Sequence, residues 1–391
     1  MTGGLNPALA RLIAGHVFLQ ACMAGTRMAA PLLALNDGHS AAAVGVLLAL
    51  FALTQVFLAL PAGRYADRHG LRRPLGYSVI AAASGAALAA AFPVFPVLCI
   101  SALLTGGATG AASIALQRHV GRAAETPLQL KQVFSWLAIG PAVSNFLGPF
   151  TAGLVIDHGG YRLAFLVLAL FPLVCWFWVR TVHELPPMIA PPQQRKTRAW
   201  DLFTEPTFQR LLLVNWFLSS CWDVHTFVVP VLGHERGISA SVIGTILGAF
   251  AVAAALIRVV MPLLAAQLRE WVVIATAMGA TALVFGVYPF MKTPLAMGVC
   301  SVLLGISLGS VQPMVMSMLH QITPEHRHGE AVAMRIMAIN ASSVTMPILF
   351  GLAGSVIGIS GVFWIVGCMV AGGIRVAFRL GEIPAAPHDK R

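Results

Sequence analysis

Long apolar runs separated by short polar stretches dominate the chain, and these runs have the length of membrane-spanning helices. A helix needs about 20 mainly apolar residues to cross a bilayer. Twelve segments qualify, at residues 10–35, 42–62, 74–92, 96–118, 131–155, 161–180, 208–232, 240–264, 271–290, 294–320, 330–356 and 358–380. Alternation of apolar and polar residues, which a membrane barrel requires, is absent. The pattern predicts an all-α integral membrane protein with twelve transmembrane helices.

The longest polar interruption divides the predicted spans into two groups of six. Residues 181–207 are rich in proline and basic residues, which is typical of an extended linker. We therefore predict an N-terminal six-helix bundle over residues 1–180, a cytoplasmic linker over 181–207, and a C-terminal six-helix bundle with a short cytoplasmic tail over 208–391.

Small residues recur at corresponding positions of the two halves. Predicted spans four and ten each contain a GxxxG pair, Gly106 with Gly110 and Gly305 with Gly309. Such pairs let helices approach closely. Two related halves are typical of secondary transporters, in which the substrate binds near the bilayer midplane between the repeats. We therefore expect pseudo-symmetric bundles with a site between them.

The composition excludes the common soluble classes of protein. Of the 391 residues, 58% are hydrophobic and 10% are charged, and the mean hydropathy is +0.82. Soluble domains carry roughly 25% charged residues. A soluble enzyme or a nucleic-acid-binding protein is therefore not expected, despite a net charge of +11.

The distribution of basic residues predicts the orientation in the membrane. When residues at span edges are counted with the adjoining loops, three of the 25 Lys and Arg residues fall inside spans and three lie at the odd-numbered loops, which leaves 19 at the termini and the even-numbered loops. Lys and Arg accumulate on the cytoplasmic side of bacterial inner membranes. The sequence thus predicts a multi-pass protein of the bacterial-type inner (plasma) membrane with both termini in the cytoplasm.

An acid surrounded by arginines lies in the loop after the second predicted span. Residues 63–73 have the form G-x-x-x-D-R-x-G-x-R-R. A carboxylate is favoured near a helix N-terminus, and arginines at this level can bridge helix ends or contact anionic membrane lipids.

This loop resembles motif A of the major facilitator superfamily, and the spans, linker and predicted topology extend the resemblance over nearly the whole chain. The resemblance implies two six-helix bundles that give alternating access to one substrate site. It also implies a latch that holds the cytoplasmic side shut, formed by Gly63, Asp67, Arg68, Gly70, Arg72 and Arg73. The equivalent loop of the second half has only Arg269 and Glu270, so we expect a one-sided latch.

The fifth predicted span resembles motif C of the family's drug/proton antiporters. Gly148, Pro149 and Gly153 match the motif and would bend the helix so that another can pack there. The resemblance implies export. The motif B arginine expected four residues before Gly110 is absent, because Gly106 is there. Proton coupling would therefore need other groups.

Three arginines lie inside predicted spans, where an unpaired charge costs at least about 2.5–3.5 kcal/mol. Arg27 shares a helix face with Gln20. It is either a functional residue, which binds an anion or couples charge movement, or the partner of Asp223 in a structural ion pair. Arg258 could line a cavity or reach the membrane interface. For Arg335, one turn into its span, we favour reaching the interface.

Asp223 is the sole acid in the interior of a predicted span, and it belongs to a polar stripe. Asn215, Ser219 and Asp223 follow one another at intervals of four residues. Burial disfavours an ionised carboxylate, which brings protonation within the physiological range. We predict that Asp223 couples transport to protons, unless it is permanently paired. His225 is a second titrating candidate, although it points away from Asp223 on a regular helix.

We predict a secondary active transporter that exports a small organic solute, a drug or metabolite, in exchange for protons. The predicted substrate-binding residues are Arg27, Gln20, Asn215, Ser219, Trp222, Arg258 and Gln312. The alternative is proton-coupled uptake of a small organic anion, since three arginines oppose one acid. We find no nucleophile–base pair, metal-ligand pattern or nucleotide-binding loop, and therefore predict no enzyme activity, cofactor or metal. The family resemblance implies a monomer.

Overall fold

The computed structural model describes residues 7–123, 127–182, 199–264, 269–323 and 328–380. Ten α-helices form this part of the chain: α1 (Pro7–Asn36), α2 (Ala41–His69), α3 (Arg72–Ala91), α4 (Phe95–Ala123), α5 (Pro127–Val179), α6 (Pro206–Glu235), α7 (Ala240–Leu264), α8 (Glu270–Val287), α9 (Pro294–Ile322) and α10 (His328–Leu380). Short 3-10 turns at Ala199–Thr204 and Tyr288–Phe290 complete it. All ten helices are long and apolar enough to cross a membrane. The predicted all-helical architecture is confirmed.

The two longest helices, α5 and α10, each change direction at a glycine. Gly160 has φ 78° and Gly358 has φ 77°, in the left-handed region that glycine adopts without steric cost. Divided at these glycines, the helices of the described chain correspond in order to the twelve predicted spans. Most of the predicted linker, residues 183–198, lies outside the described residues.

The predicted GxxxG faces mediate close helix packing within each half. A Cβ at Gly106 would collide with the Phe51 carbonyl oxygen of α2, and one at Gly305 would collide with the Phe250 carbonyl oxygen of α7. Helix α4 therefore packs on α2 as α9 packs on α7, because each glycine lies against a backbone carbonyl oxygen of the neighbouring helix. The pseudo-symmetry predicted from sequence extends to these contacts.

The two halves pack on each other where α2 and α7 begin. Gly45 of α2 lies against the Pro347 carbonyl oxygen of α10, and Gly244 of α7 lies against the Pro149 carbonyl oxygen of α5. The two contacts are pseudo-symmetric. Under the predicted topology, this closed end faces the outside of the cell.

Toward the opposite end, side chains on the same helix faces are exposed. Val56, eleven residues beyond Gly45 on the same face of α2, is 40% exposed. Met337 lies on the face of α10 that contacts α2 at Gly351, and it is 57% exposed. The cavity between the halves has Arg258 of α7 and Arg335 of α10 in its lining, and both residues lie on the predicted cytoplasmic side of the Gly45 and Gly244 contacts.

Candidate functional site

A central cavity of about 280 Å³ lies between the two halves. Helices α1 and α5 of the first half line it together with α6, α7, α9 and α10 of the second. The lining residues are Arg27, Pro141, Ala142, Asn145, Asn215, Leu218, Ser219, Trp222, Asp223, Ala251, Arg258, Leu308, Val311, Gln312, Arg335, Ile339 and Ser343. A side chamber of about 50 Å³ shares Arg27 and Trp222 and extends to Pro149 and Thr226. The cavity therefore reaches toward the closed end.

An ion pair across the cavity joins the two halves. Arg27 Nη2 on α1 lies 3.6 Å from Asp223 Oδ1 on α6. The Arg27 side chain is 25% exposed and that of Asp223 is 5% exposed, so water screens the pair only in part. Arg27 and Asp223 are thus paired in this structure, and the role of Arg27 in anion binding or charge coupling stays a prediction.

Two serines of α10 hold the Asp223 carboxylate on its other side. Ser342 Oγ donates to Asp223 Oδ2 at 3.3 Å, and Ser343 Oγ lies 3.3 Å from both carboxylate oxygens. Ser220 Oγ lies 3.3 Å from Ser342 Oγ and extends this network. No local sequence pattern identifies these serines as partners of Asp223, because they lie 119 and 120 residues away along the chain.

The other two in-span arginines also line the cavity. The Arg258 guanidinium lies 5.5 Å from the centre of the Trp222 ring, in cation–π geometry. Arg335 Nε donates to Asn215 Oδ1 at 3.0 Å. The expectation that Arg335 reaches the membrane interface is wrong: the residue is 6% exposed, because it points inward to α6.

Two predicted site residues lie outside the cavity lining. Gln20 Nε2 lies 3.5 Å from Ser113 Oγ, between α1 and α4. His225 is fully buried, with Nε2 2.9 Å from Ser301 Oγ and its ring stacked on Phe250. Ser219, Trp222 and Gln312 do line the cavity.

The motif A residues surround the α2–α3 turn. Gly70 has φ 73° there, Arg72 Nη2 donates to the Val182 carbonyl oxygen at 2.8 Å, and the Gly63 carbonyl oxygen accepts from Arg118. These described contacts remain within the first half. Arg68 and Arg73 are exposed, and the Asp67 side chain lies outside the described residues.

The motif C residues lie at the closed end. A Cβ at Gly148 would collide with the Ala21 carbonyl oxygen of α1, and one at Gly153 would collide with the Ala240 carbonyl oxygen of α7. Pro149 lies between them on α5. The helices that pack at this bend are therefore α1, from the same half, and α7, from the other.

The sequence model of the Major Facilitator Superfamily matches residues 12–222 and 211–391. The chain is 34% identical over 141 residues to the class B tetracycline resistance protein of Escherichia coli, which covers 35% of this chain and 34% of that protein. It is 24% identical over 346 residues to the multidrug resistance protein MdtG of Yersinia enterocolitica, which covers 82% of this chain and 80% of that protein. The match to the first relative thus spans about a third of its length.

Solved structures of transporters share the fold. A bacterial homologue of the human lysosomal transporter Spinster, in an inward-facing and occupied conformation, has a TM-score of 0.80 at 13% identity over 97% of this chain and 98% of that chain. A D-xylose–proton symporter has a TM-score of 0.76 at 14% identity over 97% of both chains.

Proposed function

Since this chain belongs to the Major Facilitator Superfamily and is a multi-pass membrane transporter rather than an enzyme, we propose that it exports a small organic solute in exchange for protons. We place it in a bacterial inner membrane with both termini in the cytoplasm. Its drug-resistance relatives support export. Both halves of one chain line the cavity, which supports a monomer as the working unit.

The observation that carries this proposal is the Arg27–Asp223 ion pair. It joins α1 to α6 across the cavity, so its energy depends on how the halves are arranged. A proton on Asp223 would remove the attraction to Arg27 and would also weaken the hold of the carboxylate on solute. Solute would bind again only after deprotonation restores the carboxylate. Proton and solute would thereby exclude each other, as exchange requires.

The packing of the halves supports the corresponding conformational cycle. The halves contact each other at Gly45 and Gly244, and the cavity lies between them toward the predicted cytoplasmic end. Solute would enter from the cytoplasm in this state. Separation of the contacts at the closed end, with closure at the other, would expose the same cavity to the outside.

Proton exchange is tested in inverted membrane vesicles with an acidified lumen and a luminal pH dye. Tetracycline and a panel of organic anions and cations are added outside. We expect at least one solute to raise the luminal pH, because its entry would release protons. Vesicles without the protein are the control. Proton-linked solute uptake by right-side-out vesicles, with no response of inverted vesicles, would instead establish uptake.

A further inference from the structure

We propose that the central cavity binds a small organic anion whose acidic group is held by Arg258 and Arg335. This inference rests on the proposed function in one respect, that the cavity is the transport site. It adds the chemical class of the solute and assigns to two arginines of the second half the role of recognising it.

The charges lining the cavity do not balance. Arg27, Arg258 and Arg335 face a single carboxylate, Asp223. The Asp223 carboxylate is already paired with Arg27. In the part of the chain that the structure describes, neither Arg258 nor Arg335 lies within 4.0 Å of an acidic side chain. An excess of two positive charges therefore lies in a cavity inside the membrane, where unpaired charges are costly.

Arg258 contacts an uncharged partner. Its guanidinium lies over the Trp222 ring, while its Nε is buried without a hydrogen-bond acceptor. A cation–π contact orients the group but leaves its in-plane N–H donors available. The planar fork of donors matches carboxylate and phosphonate oxygens, to which it can bind in a bidentate manner.

Arg335 is held beside the same space. Its Nε is fixed by the Asn215 amide oxygen, which is neutral and leaves the positive charge uncompensated. Arg258 and Arg335 are near enough to interact electrostatically, and like charges repel each other. A bound anion would relieve this repulsion and supply the missing charge for both.

The rest of the lining selects a small anion with an apolar body. Leu218, Leu308, Val311 and Ile339 surround the polar groups. A volume of about 280 Å³ is just below the usual range for small-molecule sites, about 300–1,000 Å³. A compact aromatic or aliphatic acid fits this description better than a large amphiphile.

The test measures the apparent Tm of the purified full chain at neutral pH and constant ionic strength. The anionic probes are benzoate and phenylphosphonate; benzamide is the neutral control and benzyltrimethylammonium the cationic one. At about ten times its Kd, a ligand favours the folded state about tenfold. We expect the better anion to raise the Tm by roughly 2 °C, with no shift from the neutral or cationic compound.

Variants localise the effect. We expect Arg258→Gln and Arg335→Gln to lose the anion-dependent shift and Arg258→Lys to keep part of it. Arg375→Gln, at an exposed arginine of α10, should keep the full shift. The inference is overturned if neither anion shifts the Tm, if the cation shifts it more, or if the shift survives both Gln substitutions. Binding is measured without a proton gradient. A failure of proton exchange in vesicles can therefore be distinguished from a failure of anion binding.

A different observation identifies a positioning residue at the closed end, and we infer that Asp157 holds α7 against α5. The Asp157 carboxylate accepts hydrogen bonds from the backbone N–H groups of Ala240, at 3.0 Å, and Ser241, at 2.9 Å. These N–H groups begin α7, where a helix leaves donors unpaired and its dipole favours an anion. A residue of the first half thus caps a helix of the second.

The pseudo-symmetric helices α7 and α2 are capped differently. At the start of α2, the cap is Ser40, which accepts from Ala43 N within its own half. The cap on α7 must therefore break when the closed end opens, while that on α2 need not.

Thiol labelling tests the role of Asp157. A cysteine at Thr226, in the side chamber, is introduced together with Cys368→Ala, which removes an exposed native thiol. Removal of a helix cap shifts an equilibrium by roughly 2- to 30-fold. We therefore expect Asp157→Ala to raise labelling by an impermeant reagent from the outside about tenfold, and Asp157→Glu to restore much of the protection. Asp37→Ala, at an exposed acid between α1 and α2, is the control. Equal labelling of both alanine variants would overturn the assignment.

Discussion

Replacement of Asp223 with Asn is expected to abolish solute-linked proton movement while leaving the protein folded. Asn has nearly the same shape and can still accept hydrogen bonds from Ser342 and Ser343, which now contact the carboxylate. It cannot take up a proton, and it cannot form a charged pair with Arg27. We expect the coupled flux in inverted vesicles to fall at least about tenfold, which corresponds to about 1.4 kcal/mol in the barrier.

The matched control is Asp223→Glu, which keeps the titrating group and should retain part of the flux. A double substitution separates coupling from folding. Asp223→Asn leaves Arg27 unpaired in a partly buried site, which we expect to cost about 1–3 kcal/mol of unfolding free energy. Adding Arg27→Gln should recover part of that loss, because it removes the unpaired charge. Unchanged coupled flux in Asp223→Asn would exclude this residue from the mechanism.

Substitution of Gly45 with Ala is expected to prevent the closed end from forming. Even a single methyl group there would collide with the Pro347 carbonyl oxygen, because α2 and α10 are in backbone contact. Overpacking of this kind costs about 1–3 kcal/mol. The collision destabilises only the state in which the two halves touch. We therefore expect transport to fall about tenfold or more, and outside labelling of a cysteine at Thr226 to rise.

Two further glycines complete this experiment. Gly244→Ala should have the same effect as Gly45→Ala, since Gly244 meets the Pro149 carbonyl oxygen in the pseudo-symmetric contact. Gly298→Ala is the control, because no atom lies within 4 Å of the added methyl group. If Gly45→Ala transports and labels as Gly298→Ala does, the close contact is not required for the cycle.

The spans could be predicted from the sequence because a bilayer imposes length and apolarity on each helix separately. The GxxxG faces could be predicted as well, since small residues at that spacing permit close approach whatever the partner. Their partners, Phe51 and Phe250, could not be predicted, because no local pattern states which helix fills a groove.

In the candidate site as well, the sequence identifies residues but not their partners. Asp223 is the sole acid in the interior of a predicted span, and Arg27 is a cation there that needs a partner. Their pairing was one of two alternatives until the structure placed them 3.6 Å apart. Arg335 was assigned to the membrane interface because it lies near a helix end. Only the packing of α10 on α6 turns it inward to Asn215.

The sequence by itself determined that this protein crosses the membrane many times as helices, that two related halves make it up, and that few charges enter the bilayer. Those properties follow from the free-energy cost of exposing polar groups to lipid, and this cost applies to each segment separately. The tertiary structure decided which of those charges meet, which end of the molecule is closed, and that Asp157 caps a helix of the other half. These depend on contacts between residues far apart in the chain, which no local pattern encodes.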